Sequence, residues 1–383
     1  MNKIKICHVI GNFVNGGVEA VIYNYFSHMD MEKYEVHIIG HGIRVQECAD
    51  RFTSLGFKIH NITPKSVSFI RSCKEMETIF RKEKFDIVHS HLTEWACVPM
   101  FLAWKCGVKI RINHSHMAEK PQGMKNKIYY GIRLYFGKLF ATDYFACGRD
   151  AGIYLFGKHA VDSGKVTILP NAVDYEKFSY NIQLRNEIRE KYNIEDSTIV
   201  VGHVGRFFEQ KNHEFLIDIF EEYHKENLDS ILVMLGDGEL INKIKDKVTQ
   251  KKLESSVYFL GNQSNVADWY QVMDMFLLPS YYEGFPVVGV EAQVSGLPCL
   301  FSDGITPEIQ ISPNAQFMRL ESGSKAWVEK MKYMIANKQN RGNLILNHDR
   351  FDIEKNADKL DLFYQMKVKE VRAVSYTHLT LPT

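Results

Sequence analysis

The stretch MFLLPSYYEGFPVVGVEAQ, residues 275–293, holds a strand, a turn and a helix start. Positions 275–278 are apolar throughout, as in a strand buried on both faces of a parallel sheet. Pro279 ends the run because proline has no amide for the ladder. Gly284 lets the backbone turn tightly, and Pro286 suits the first turn of a helix. The amides of Val287, Val288 and Gly289 are then expected as unpaired donors at a helix N-terminus, where an anion can bind. Glu283 should lie at the strand's C-terminal end. Glu291 falls a turn further in, among Val287, Val288, Val290, Ala292 and Val294. A carboxylate in such surroundings needs hydrogen-bond donors. Two sugar hydroxyls or a ribose diol would serve. The bland alternative is a helix-start acid and a surface glutamate.

The same rhythm runs along the chain. Strand patterns at 4–10, 35–40, 58–62, 85–90, 109–113, 144–147 and 166–169 alternate with helical ones such as 19–29, 45–55 and 67–83. Polar residues 174–196, with a charged helix over 184–192, interrupt it. It restarts with strands at 198–204, 230–235, 257–260, 275–278 and 298–301, separated by helices at 213–225, from 240, at 266–272 and from 289. Strands separated by helices predict an α/β fold with doubly wound parallel sheets and ligands at the C-terminal strand ends. The expected organisation is a Rossmann-like domain over 1–178, a linker over 179–197 and a second Rossmann-like domain over 198–350. A helix over 351–372 is free to pack back on the first half. The default active site is a cleft between the halves. Residues 373–383, ending SYTHLTLPT, read as a non-native or disordered tail.

Bulk properties narrow the function. At 383 residues with a net charge of +1, no global field points to nucleic acid. No apolar run is long enough for a membrane span. The N-terminus enters a strand directly without a signal-peptide pattern, and the seven cysteines form no Cys-x-x-Cys pair. Buried thiols in a cytoplasmic protein are expected, not a disulfide frame or zinc site. The loop GNFVNGGVEAV, residues 11–21, joins the first strand to a helix. It lacks the lysine of a P-loop, and Phe13 breaks the dinucleotide fingerprint.

Glu-Gly-Phe-Pro followed by a second glutamate, from Glu283 to Glu291, resembles the signature of retaining glycosyltransferases of the GT-B fold. The likeness is to the family-four group (glycosyl transferases group 1), which includes capsule and exopolysaccharide sugar transferases. HVGRFFEQKNHEFLI (203–217), LGDGE (235–239), FLG (259–261) and GGVE (16–19) are similar to further family segments in the same order. The resemblance covers the chain to about residue 370. It implies that Arg206 and Lys211 neutralise the leaving diphosphate, as two cations in one strand-end loop suit. It further implies that Glu283 contacts the transferred sugar and Glu291 the ribose hydroxyls. Gly284, Phe285, Pro286, Val287 and Val288 would bind the donor, the backbone amides after the proline holding the distal phosphate, with Gly236 and Gly261 near the nucleotide. Gly16 and Gly17 should approach the same diphosphate-sugar from the first domain. A UDP-sugar is the favoured donor, with guanine and adenine left open.

In the first half, His114 and His116 follow a strand. Family members place a histidine at this strand end near the transferred sugar, and their equal parity leaves the choice open. The His-x-His pair also suggests a metal site, but spacing supplies no third ligand. With Arg206 and Lys211 present and no Asp-x-Asp triplet, metal-independent catalysis without a cofactor is expected. HSHLTE (89–94) reads equally as a polar strand end or an acceptor contact. Residues 124–141 mix Lys125, Lys127, Arg133 and Lys138 with aromatics. They read as an amphipathic helix on an anionic membrane surface or as core filling. A lipid-linked acceptor, common among the resembling enzymes, adds weight to the first. The resulting expectation is transfer of a hexose or N-acetylhexosamine to a lipid-linked or polysaccharide acceptor, cytoplasmic and peripheral on the membrane. The alternatives are a sugar-nucleotide epimerase of the same fold and a non-catalytic nucleotide-sugar-binding partner.

Overall fold

In the computed structural model, residues 3–14, 16–116, 124–343, 346 and 349–379 are described. The chain divides into two compact units, one of residues 1–172 with 352–383, the other of residues 173–351.

The first unit carries a seven-stranded sheet: β1 (Ile4–Val9), β2 (Tyr34–Gly40), β3 (Lys58–Asn61), β4 (Ile87–Ser90), β5 (Ile110–Ser115), β6 (Asp143–Ala146) and β7 (Val166–Ile168). Their order is β3-β2-β1-β4-β5-β6-β7 and every pairing is parallel. The order reverses between β1 and β4, so a crevice opens at their C-terminal ends. Central strands read as apolar runs because helices cover both faces; β4 is buried at all its positions.

The second unit repeats the plan with β8 (Ile199–Val204), β9 (Ser230–Leu235), β10 (Val257–Gly261), β11 (Met275–Leu278), β12 (Cys299–Ser302) and β13 (Ala315–Met318). The order β10-β9-β8-β11-β12-β13 reverses between β8 and β11. The sequence reading stops at 298–301 and misses β13 and the helix Gly323–Ala336, whose Trp327, Val328, Met331 and Met334 are buried at helical spacing.

The stretch read as a linker, 179–197, lies inside the second unit and contains the helix Ile182–Lys191. Asn181 caps that helix by accepting from the amides of Gln183 and Leu184. Arg185 and Arg189 donate to Asp274 at 2.7 and 3.3 Å, and Arg189 is buried. Local polarity imitates a linker, but a partner far along the chain makes the segment structural.

The last helix, Ile353–Leu379, belongs to the first unit and runs into the stretch set aside as a tail. Its stripe Ile353, Ala357, Leu360, Tyr364 and Val368 enters the core formed by Ile22, Tyr25, Phe26 and Phe145. That spacing is one face of a 3.6-residue period.

The segment Met124–Phe140 is helical. The side chains of Lys125 and Lys127 lie outside the described residues. Tyr129, Ile132, Tyr135, Phe136 and Leu139 are exposed, which corrects the core-filling alternative for these positions. Phe101 and Trp104 of the helix Cys97–Lys105 are exposed too and pack on Phe140, edge-on and tilted respectively, each at 5.1 Å. No helix among the described residues is long and apolar enough to cross a membrane.

Candidate active site

In the second unit, the loops leaving β8 and β11 flank the strand-order reversal and are tied together. The Tyr281 amide donates to the Gln210 carbonyl at 2.9 Å. This tie brings Lys211 Nζ to 2.6 Å from Glu283 Oε1, with both side chains largely enclosed. Ser280 Oγ donates to Glu283 Oε1 at 2.8 Å and Gln210 Nε2 to Oε2 at 3.2 Å. A short 3-10 turn, Glu209–Lys211, sets the lysine, and Asn212 at φ 54° reverses the chain into the helix His213–Glu226. The Arg206 guanidinium is exposed and lies over the Phe208 ring at 4.8 Å. So the two expected cations differ: Lys211 is held by a carboxylate and Arg206 is open to solvent.

The strand ends beside them approach closely. The Gly236 amide donates to the Gly261 carbonyl at 2.8 Å, and the Gly205 amide to the Leu235 carbonyl at 2.9 Å. Gly236 has φ +130°, and a Cβ there would meet the Gly205 carbonyl oxygen at 2.1 Å. Only glycine fits at this position. The result is a floor of backbone at the ends of β8, β9 and β10.

The helix after β11 spans Val287–Val294 with Pro286 at its N-cap. Val287 and Val288 take the first helical positions, whose amides have no partner in the helix. The third expected donor is corrected: the Gly289 amide donates to the Pro286 carbonyl at 2.9 Å. Gly284 is exposed, while Phe285 packs on Phe351 at 4.9 Å. Glu291 is half-buried, and desolvation pushes its carboxyl up to about 7 against the Tyr270 hydroxyl and a distant Lys177. Tyr270 Oη donates to Glu291 Oε2 at 3.0 Å, which leaves Oε1 for a ligand. Sequence reasoning missed Tyr270, Ser280 and Gln210. Ser280 and Gln210 lie within the motif segments 275–293 and 203–217; Tyr270 lies outside them and needs tertiary contact to be found.

In the first unit, Gly16 is the N-cap of the helix Gly17–Ser27. Glu19 is buried and folds back on this loop, where backbone groups of Val14, Gly16 and Glu19 oppose the upward push of burial on its carboxyl. The helix-start amides are therefore partly taken by the chain's own acid. His114 is fully enclosed and His116 partly exposed. Their rings lie 4.0 Å apart, as equal parity requires. Each meets a histidine of the β4 end: His114 Nδ1 lies 3.1 Å from His89 Nε2, and His116 Nε2 lies 2.8 Å from His91 Nδ1. His8, on β1, was not singled out by sequence; its Nδ1 lies 2.9 Å from His91 Nε2. Burial lowers all these imidazoles, His8 to about 3 and His116 to about 4. His89, His91 and His114 fall well below the ordinary value, burial first and the neighbouring imidazoles second.

Two Rossmann-like units, each with a strand-order reversal, define an α/β architecture of the GT-B class. Residues 185–359 match the family Glycosyl transferases group 1, and residues 15–177 match Glycosyltransferase Family 4. The chain is 33% identical over 314 residues to the protein named as glycosyltransferase EpsF of Bacillus subtilis, covering 80% of each. It is 28% identical over 313 residues to the Escherichia coli UDP-Gal:alpha-D-GlcNAc-diphosphoundecaprenol alpha-1,3-galactosyltransferase, covering 79% of this chain and 80% of that protein. Its fold is similar to that of HepE from Anabaena, crystallised with UDP, with a TM-score of 0.78 at 14% identity over 95% of this chain and 100% of that one. The chain belongs to the group 1 glycosyltransferases.

Proposed function

We propose that the protein is a retaining, metal-independent glycosyltransferase that moves a hexose or N-acetylhexosamine from a UDP-sugar to a lipid-linked or polysaccharide acceptor in surface-polysaccharide assembly. The observation that carries this reading is the Lys211–Glu283 pair at 2.6 Å beside the Val287–Val294 helix start, with Glu291 one turn further in. The uridine base is supported by the UDP-bound state of HepE. The lipid-linked acceptor is supported by the substrate in the name of the Escherichia coli relative.

The residues then have distinct work. Glu291, with one oxygen held by Tyr270, accepts hydrogen bonds from the ribose hydroxyls. The amides of Val287 and Val288 face the distal phosphate. Diphosphate binding draws Lys211 off Glu283, which frees that carboxylate for hydroxyls of the sugar. Arg206, without a carboxylate partner among the described residues, swings to the same diphosphate. Positive groups aimed at the leaving oxygens stabilise the charge that develops as the glycosidic bond breaks. The acceptor oxygen attacks the same face, and its proton passes to a leaving-phosphate oxygen. This mechanism departs from that of hydrolases, which place two carboxylates on either side of the bond. The exposed aromatics of 124–140 and the Phe101–Trp104 pair would rest on the membrane that holds the acceptor.

The test is transfer from a panel of UDP-sugars to an undecaprenyl-diphosphate-linked sugar, with the product anomer read by NMR. The expected product keeps the donor's anomeric configuration, and millimolar magnesium or manganese changes the rate less than about twofold. An inverted product would refute retention. Hydrolysis or epimerisation without transfer would refute the transferase reading.

A further inference from the structure

The geometry points to a zinc site in the first unit, at the ends of β4 and β5, with His91, His114 and His116 as its protein ligands. Parallel register builds it. His8 pairs with His89 across β1 and β4, and His89 and Ser90 pair with Ile112 and Asn113 across β4 and β5. One residue past Ser90, His91 comes level with His114. Residues two apart share a face, so His89, His91, His114 and His116 point together. One ring nitrogen from each of His91, His114 and His116 lies within 4.8 Å of the other two.

The ring contacts are compatible with neutral tautomers that leave lone pairs for an ion. His114 Nδ1 faces His89 Nε2, and His89 Nδ1 faces Tyr364 Oη at 2.7 Å. With His114 Nδ1–H donating to His89 and His89 Nδ1–H donating to Tyr364, His114 Nε2 is left as a bare lone pair. It is buried and has no hydrogen-bond partner among the described residues. If His91 Nε2–H donates to His8 Nδ1, the lone pair of His91 Nδ1 is left, and it faces His116 Nε2 at 2.8 Å. A ligating histidine ordinarily gives its second N–H to an outer partner that fixes the ring. Here His8, His89 and Tyr364 already form that outer layer. His116 joins through Nε2 once its proton sits on Nδ1.

Zinc fits the donor set. Three imidazoles with no oxygen ligand suit a borderline transition ion and not magnesium or calcium. Tetrahedral bonds of about 2.0–2.1 Å put the ligand nitrogens roughly 3.3 Å apart, so the His91–His116 gap need open only slightly. The partly exposed His116 leaves a solvent-side fourth position. None of Arg206, Lys211, Glu283 or Glu291 takes part, so this site is independent of the donor-site residues; it replaces the expectation that His114 or His116 contacts the transferred sugar.

The test is metal content and cobalt titration of the full chain, first stripped with chelator. The wild type should take up about one equivalent of zinc, and cobalt should give the visible absorption of a tetrahedral nitrogen site. His91→Ala and His116→Ala should each weaken binding at least about a hundredfold. His8→Ala, acting through His91, should weaken it by about 10- to 100-fold yet still saturate at one equivalent. His37→Ala, in the separate Glu35–His37–Glu83 group, should leave uptake unchanged. The assignment is overturned by a wild type that takes up no stoichiometric metal, or by His116→Ala binding as the wild type does. It is also overturned if His8→Ala abolishes uptake while His116→Ala keeps it, since that places the ion on His8, His89 and His91. Should His91→Ala not fold, His116→Ala on the partly exposed ring decides alone. UDP binding measured on the same samples separates the two claims, since zinc uptake does not require it.

Discussion

Arg206 and Lys211 carry the same charge in one loop but should respond differently to removal. Arg206 is exposed over Phe208, so Arg206→Ala should change stability by no more than about 0.5 kcal/mol. Turnover should nevertheless fall by about a hundredfold, the loss typical of a group that stabilises developing charge. Lys211→Ala leaves the largely enclosed Glu283 with Ser280 and Gln210 alone. It should therefore lose both turnover and about 1–3 kcal/mol of stability. Parallel kinetics and thermal melts on the two variants check the contrast; equal stability losses would remove it. Glu291 is held up to about 7, chiefly by desolvation. The folded protein thus keeps a proton that the unfolded chain, titrating near about 4.3, has lost. Stability from this group is present below the unfolded value and lost as pH rises through about 7. Glu291→Gln should melt higher than wild type at pH 8, with the gap closing toward pH 4.5, and should bind donor more weakly. A gap independent of pH would show that the carboxyl is not desolvated. Glu283, Lys211 and Glu291 were legible because strand, proline and glycine mark their positions locally. Tyr270 was not, since it meets Glu291 only through the tertiary fold.

At the scale of elements, strand ends decide where chemistry can sit. Strands such as Ser230–Leu235 and Met275–Leu278 coincide with their sequence patterns, because an apolar run bounded by turn residues has few other uses. What the patterns lacked was adjacency. Two His-x-His pairs were visible, but spacing along the chain does not reveal that β4 lies beside β5, or that His8 on β1 joins them. Five imidazoles lowered mainly by burial make a pH prediction. Each has a folded value below the unfolded value of about 6.5, so its stability is present above that pH and lost as pH falls toward the folded values. Each contributes up to about 1.4 kcal/mol per pH unit. The metal-free first unit should therefore melt at sharply lower temperature between about pH 6.5 and 4. His8→Phe should flatten that slope, and circular-dichroism melts across the range measure it. A melting temperature indifferent to pH there would mean the rings are solvated.

At the scale of the molecule, the chain makes two units and then returns to the first. The alternation of strands and helices foretold both sheets. The polar stretch 179–197 misled because the partner that buries Arg189, Asp274, is distant in sequence. The return of the final helix is visible as the Ile353, Ala357, Leu360, Tyr364, Val368 stripe, whose period needs a core to face. Ending the chain at residue 352 should expose that core and leave the first unit unfolded or aggregated. A soluble truncated protein with an unchanged melt would show the helix to be dispensable. The most direct test of the donor site is calorimetric titration of UDP into the wild type and Glu291→Ala, without added divalent metal. Wild type should bind with a dissociation constant of about 1–100 μM, and the variant, still folded by its melt, should bind at least about thirtyfold more weakly. No binding to the wild type, or equal binding to both, would contradict the assignment of the β8–β11 strand ends as the nucleotide-sugar site.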